Sequence, residues 1–253
     1  MLDYVRAWGD PGSPTVVLLP GAGGTEWLWT PHAELLEDEY RVVAVDMPAH
    51  GVHPASSFSF ERAIADIGEI LDEEASAVLV GHSLGGRVAM EAASTHERQV
   101  DGLLVAGVTT PPGLLKSCLA LPLSVIIQSA AHVTRIREWM EEQYGLDDER
   151  QVPPDSANAH DVVDAMARGI RGTLFRDSIS ASEFYDGPVT LIYGREEVET
   201  STAERFADRY DTSLRWYEGG HAAPSRNPSM FAEVVSDFVD AVYDENQVGT
   251  EIE

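Results

Sequence analysis

Six short runs of apolar residues punctuate the chain, and most close on glycine. Thr15-Val16-Val17-Leu18-Leu19-Pro20 runs into Gly21-Ala22-Gly23-Gly24, and Arg41-Val42-Val43-Ala44-Val45 ends at Asp46. Val78-Leu79-Val80 meets Gly81, Val100 to Ala106 meets Gly107, Pro188 to Tyr193 meets Gly194, and Leu214 to Glu218 meets Gly219-Gly220. Runs this short, most of them rich in valine and leucine and closed by glycine, predict strands, the first two of them buried. Between them the spacing changes to three and four. Phe60, Ile64, Ile67 and Leu71 predict an amphipathic helix over 59–75 with Ser59 as its N-cap. Leu84–Thr95 predicts a second, with Ala89, Ala92 and Ala93 allowing close packing on a sheet. Ser201-Thr202-Ala203-Glu204 reads as a capping box opening a helix through Phe206 and Tyr210. Asn227-Pro228 starts the last one, with Phe231, Val234, Val235, Phe238 and Val242 on its buried face.

Strands alternating with helices predict an α/β fold with a mostly parallel sheet flanked by helices. The alternation stops at Pro111. Residues 111–186 read as helical pieces, among them Leu119–Ile127, Val133–Gln143 and Val162–Gly172, broken by an acidic, proline-containing loop. Four segments result: core 1–110, helical insertion 111–186, core 187–243, and an acidic tail 244–253 expected to be disordered.

A length of 253 residues suits one such domain with an insertion. Composition narrows the partners. Acidic residues number 43 against 17 basic ones, a formal charge of −26, and Lys116 is the single lysine. Such a field repels polyanions, which argues against nucleic acid and anionic membrane as partners. The balance is that of salt-adapted proteins, whose self-repulsion is quenched when molar salt shortens the Debye length to about 3 Å. Cys118 is the only cysteine, so no intramolecular disulfide forms and a reducing cytoplasmic setting is expected. Residues 1–15 lack the pattern of a secretory signal, and the longest apolar stretch, Leu119 to Ile127, is interrupted by Pro122 and Ser124. Oligomeric state is not legible.

The chemistry concentrates at Gly81-His82-Ser83-Leu84-Gly85-Gly86-Arg87, a serine between glycines where a strand turns into a helix. It lacks the glycine spacing of a dinucleotide-binding loop. The pattern Gly-x-Ser-x-Gly in that context resembles the nucleophile elbow of the α/β-hydrolase fold, and the likeness spans roughly residues 2–243. Two further stretches are similar to the superfamily. Asp46-Met47-Pro48-Ala49-His50-Gly51 resembles its Asp-x-Pro-Gly-His-Gly turn, a structural feature in which His50, like the nearby His53, is a turn residue and not a metal ligand. Pro20-Gly21-Ala22-Gly23 stands where relatives often have His-Gly-x-Gly.

The resemblance implies Ser83 as nucleophile and His221, after Gly219-Gly220, as base. It implies an oxyanion hole from the backbone N–H groups of Ala22 and Leu84. The superfamily usually places the acid three residues after the glycine that ends the penultimate strand, where Glu197 stands; Glu196 and Glu199 remain alternatives. The insertion matches the cap of many members, and Leu119, Leu123, Ile126, Ile127, Trp139 and Met140 would form its core or an apolar wall. Trp27 lines the pocket or packs the loop, and Arg87 meets an acidic substrate or serves structure. Asp177 and the arginines 168, 171 and 176 receive no catalytic role. The implied activity is hydrolysis of a carboxylic ester or related acyl bond without metal or organic cofactor. Lyases, carbon–carbon bond hydrolases and a menaquinone-pathway synthase share the scaffold, as do non-catalytic ligand-binding proteins. Epoxide opening and halide removal are disfavoured, because those relatives carry aspartate where Ser83 stands.

Overall fold

The computed structural model describes residues 2–108, 168–169, 179–180, 183–197 and 200–250. Seven strands form one sheet: β1 (Val5–Trp8), β2 (Thr15–Leu19), β3 (Arg41–Val45), β4 (Ala77–His82), β5 (Val100–Ala106), β6 (Val189–Gly194) and β7 (Ser213–Tyr217). Their order is β1-β3-β2-β4-β5-β6-β7. All neighbours pair in parallel except β1, which lies antiparallel on β3 with Val5 opposite Val45. The mostly parallel sheet thus stands as expected, with an edge strand that the apolar pattern did not reveal. Val-Arg-Ala-Trp is only half-buried throughout, so it carries neither a continuous apolar run nor a clean alternation.

The pleat sorts the buried strand residues into two cores. Val17, Leu19, Leu79, Leu103, Val105 and Leu191 face α2 (Phe60–Glu74), α3 (Leu84–Thr95) and α4 (Thr200–Tyr210). Val16, Leu18, Val78, Val80, Leu104 and Ile192 face α1 (Thr30–Leu36) and the final helix. A short α5 (Ala223–Arg226) precedes that helix, α6 (Pro228–Thr250). Ser59 caps α2 by accepting from the N–H of Arg62 at 3.2 Å. Ala89, Ala92 and Ala93 are fully buried, the close approach their size allows.

Two expected boundaries move. Thr200 is already helical, so Ser201 sits inside the first turn of α4 and does not cap it. Helix α6 runs through Thr250, across most of the stretch expected as a disordered tail. Asp244 to Val248 holds no breaker before Gly249, so nothing local stops the helix where its apolar face ends at Val242. The helical insertion expected over 111–186 falls almost wholly outside the described residues. Among the described residues, no helix is long and apolar enough to cross a membrane.

The strand order places the site. After β2 the chain steps outward to β3, then returns across to β4, so β2 and β4 are adjacent while their following connections diverge. Open parallel sheets bind ligands at such a reversal, beyond the carboxyl ends of the strands. The Gly21–Gly24 loop and Ser83 lie at those two ends.

Candidate active site

Ser83 sits between β4 and α3 with φ 54° and ψ −113°, a region that L-residues seldom occupy. The turn holds because its neighbours have no side chains. A Cβ on Gly81 would lie 2.5 Å from the carbonyl oxygen of Gly85, and one on Gly85 would strike the carbonyls of Leu19 and, at 2.5 Å, Pro20. A Cβ on Gly86 would lie 2.6 Å from Val108. The N–H of Ser83 donates to Ala106 O at 2.8 Å, which ties the elbow to the end of β5.

His221 and Glu197 meet at the ends of β4 and β5, against His82 and Gly107. His221 Nδ1 lies 2.5 Å from Glu197 Oε1. The other carboxylate oxygen accepts from the N–H of Gly194 at 3.1 Å and from Tyr217 Oη at 3.2 Å. Burial pushes the Glu197 carboxyl up, but the hydrogen bond and charge of His221 and the N–H of Gly194 outweigh it, and the group stays below the usual glutamate range. An ionised carboxylate only accepts, so Nδ1 carries the proton and Nε2 is left with a lone pair. Glu197 is 5% exposed at its side chain, whereas Glu196 faces solvent; Glu199 lies outside the described residues.

Three neighbours hold this pair, and none was singled out by motif. Gly107, at φ 64°, follows the carbonyl that binds Ser83; a Cβ there would lie 2.8 Å from Glu197 Oε1 and 3.0 Å from His221 Nδ1. Its place directly after a buried strand is the one sequence signal that marks it. His82, 2% exposed, has Nε2 2.9 Å from His221 O, so it donates to the carbonyl of the residue it packs against, with ring centroids 4.7 Å apart. Burial first, then the proximity of His221, lowers its pKa to about 3 and keeps it neutral. Tyr217 supplies the hydroxyl on Glu197. Gly107→Ala should therefore displace the pair: a misplacement near 1 Å costs about 100-fold in turnover. Steady-state kinetics beside a thermal melt would separate this from the strain of alanine at positive φ, about 1 kcal/mol.

The loop after β2 lies against the elbow. A Cβ on Gly21 would stand 3.4 Å from the Cβ of Ser83. Asp46, fully buried, accepts from the N–H groups of Glu26 and Val52, each at 2.8 Å, and so pins this loop to the turn after β3. Burial, then its hydrogen bond and charge contact with Asp46, pushes the Glu26 carboxyl up to about 9, so it stays protonated. Ala49 takes φ 65° where the superfamily turn has glycine. His53 Nε2 lies 3.1 Å from buried Asp66, which also accepts from Tyr4 and Arg62. These bonds fit the structural role expected of the turn.

The remaining expected residues divide. Gly169 seats against both oxyanion candidates, since a Cβ on it would lie 2.5 Å from Leu84 Cδ2 and 3.3 Å from Ala22 Cβ. The Arg6 guanidinium lies 4.2 Å from the Trp27 ring, a packing contact. Arg87 lies 5.8 Å from the Phe60 ring, a contact that fits a structural role.

Comparison with known proteins places the chain. Mouse Epoxide hydrolase 4 is 29% identical over 151 residues, covering 57% of this chain and 42% of that protein. The chain thus spans about four tenths of the length of the epoxide hydrolases that it matches. The protein named "Putative carbamate hydrolase RutD" from Stutzerimonas stutzeri is 26% identical over 254 residues, 91% of this chain and 93% of its own. The structure of MenH from S. aureus superposes with a TM-score of 0.77 at 17% identity, covering 96% of this chain and all of that one. The model of the alpha/beta hydrolase family matches residues 16–234, and the chain belongs to that family.

Proposed function

We propose that the protein is a serine hydrolase that cleaves a carboxylic ester or related acyl bond of a small molecule through an acyl-enzyme. The hydrogen bond between His221 and Glu197, abutting the strand end that holds Ser83, carries this reading. His221 Nε2 takes the proton of Ser83 as its oxygen attacks the carbonyl. Glu197 keeps the imidazole in the tautomer that allows this and stabilises the imidazolium. The N–H groups of Ala22 and Leu84 receive the oxyanion, each worth about 3 kcal/mol in the transition state. Leu84 is the first residue of α3, and a first-turn N–H has no carbonyl partner within its own helix. His221 then returns its proton to the leaving alcohol, and water, activated by the same base, releases the acid. A serine nucleophile distinguishes the reading from epoxide opening.

The experiment is hydrolysis of p-nitrophenyl esters from acetate to octanoate at low and molar salt, with mass spectrometry of the quenched enzyme. Turnover with a mass increase equal to the acyl group less one hydrogen is expected. A requirement for molar salt would bear on the acidic surface. Tight ligand binding without turnover of any ester would overturn the reading in favour of a binding protein.

A further inference from the structure

A second polar feature lies against the oxyanion loop. Arg168 is half-buried, and its Nε is fully enclosed without a hydrogen-bond partner. No ion pair to Arg168 occurs among the described residues. A guanidinium taken partly out of water without an anion is costly, and the cost is recovered if a ligand brings the anion.

His50 is the second orphan. It is 1% exposed, with Nδ1 2.9 Å from Pro48 O and Nε2 buried without a partner. A carbonyl only accepts, so Nδ1 holds the proton and Nε2 presents a lone pair. Burial above all, with the Arg168 charge adding to it, keeps the ring neutral. Gly169, the next residue in the chain, seats this backbone at the site: the position of its absent Cβ is 3.6 Å from His50 Cε1, beside Leu84 and Ala22, and the Arg168 charge is felt at the His50 ring. The backbone that carries Arg168 and the ring of His50 therefore meet at one seam, next to the residues that would hold the oxyanion.

We infer that Arg168 and His50 form a binding subsite for the part of the substrate remote from the scissile bond, selecting esters that carry a carboxylate. Arg168 pairs with the carboxylate, and a hydroxyl or amide N–H beside it donates to His50 Nε2. This rests on the acyl-transfer reading and adds the substrate class: acidic esters, with the charge in either the acyl or the alcohol portion.

The test compares matched pairs of esters. p-Nitrophenyl monosuccinate against p-nitrophenyl pentanoate places the charge in the acyl portion; 3-acetoxypropanoate against butyl acetate places it in the alcohol. Arg168→Met should lower the ratio of kcat/KM for the charged over the neutral ester by about 10- to 100-fold in one pair, the range expected for a charge-assisted hydrogen bond. Arg168→Lys should restore part of it. An equal effect on both members of each pair would overturn the subsite. Calorimetric titration of the full chain with succinamate, which offers a carboxylate and an amide N–H, needs no turnover. Binding weakened at least tenfold by Arg168→Met supports the subsite even if no ester is cleaved, and binding indifferent to the substitution overturns it.

Discussion

Alanine in place of Ser83 should leave a folded protein that no fluorophosphonate labels and whose kcat on p-nitrophenyl esters falls by about 10⁶, the loss expected when the nucleophile of a triad is removed. The fold should survive because the bond that anchors the elbow is made by the main chain, from Ser83 N to Ala106 O at 2.8 Å, and alanine keeps it. The strain of φ 54° also persists, so any change in stability is confined to the lost hydroxyl. Labelling is read by intact mass and folding by a thermal melt. Labelling that persisted in the variant would remove Ser83 from the mechanism, while an unlabelled wild type would remove covalent catalysis altogether.

The elbow was legible because its chemistry and its geometry use the same residues. Gly81 and Gly85 announce a turn with no room for a Cβ, and the carbonyls of Leu19, Pro20 and Gly85 are what would fill that room. The central strands were legible for a related reason: β2 to β5 are buried on both faces and read as apolar runs. β1 was not, since a half-buried edge strand needs only one partner and few apolar residues. The end of α6 was missed because acidity was read as disorder although Asp244 to Val248 contains nothing that breaks a helix.

At the candidate site, spacing favours Glu197 as the proposed acid but does not separate it from Glu196 or Glu199. What separates the first two is the turn: Glu197 N donates to Gly194 O at 3.0 Å and points the side chain inward, while Glu196 N donates to Gly219 O at 3.1 Å and its side chain faces solvent. Such a distinction rests on the pairing of β6 with β7, a contact between residues about 20 positions apart. The roles of Gly107, His82 and Arg168 were not legible for the same reason. Each matters through a neighbour distant in sequence, Glu197 and His221 for the first two and Ala22, Leu84 and His50 for the stretch that carries the third.

Glu197→Gln tests the acid with the smallest change of shape, and the surrounding bonds say how it should fail. Oε2 of Glu197 accepts from Gly194 N–H, a donor that cannot reverse its role, and from Tyr217. In the variant the amide oxygen is drawn to that side, and the amide NH₂ then faces His221 Nδ1. Two donors cannot share a hydrogen bond, so the imidazole gives up its Nδ1 proton and carries it on Nε2, where the lone pair must be for Ser83 to be deprotonated. The charge that would stabilise the imidazolium is lost as well. We expect kcat to fall by about 10⁴ with KM little changed, the consequence of a wrong tautomer in an otherwise intact triad. Glu196→Gln, altering a solvent-facing group one residue away, should leave turnover within about twofold, since surface charges act weakly. The reverse pattern in paired kinetic measurements would transfer the role of acid to Glu196. Slow fluorophosphonate labelling of the Glu197→Gln protein should accompany its lost turnover, because Ser83 is still present but its base no longer holds a lone pair towards it.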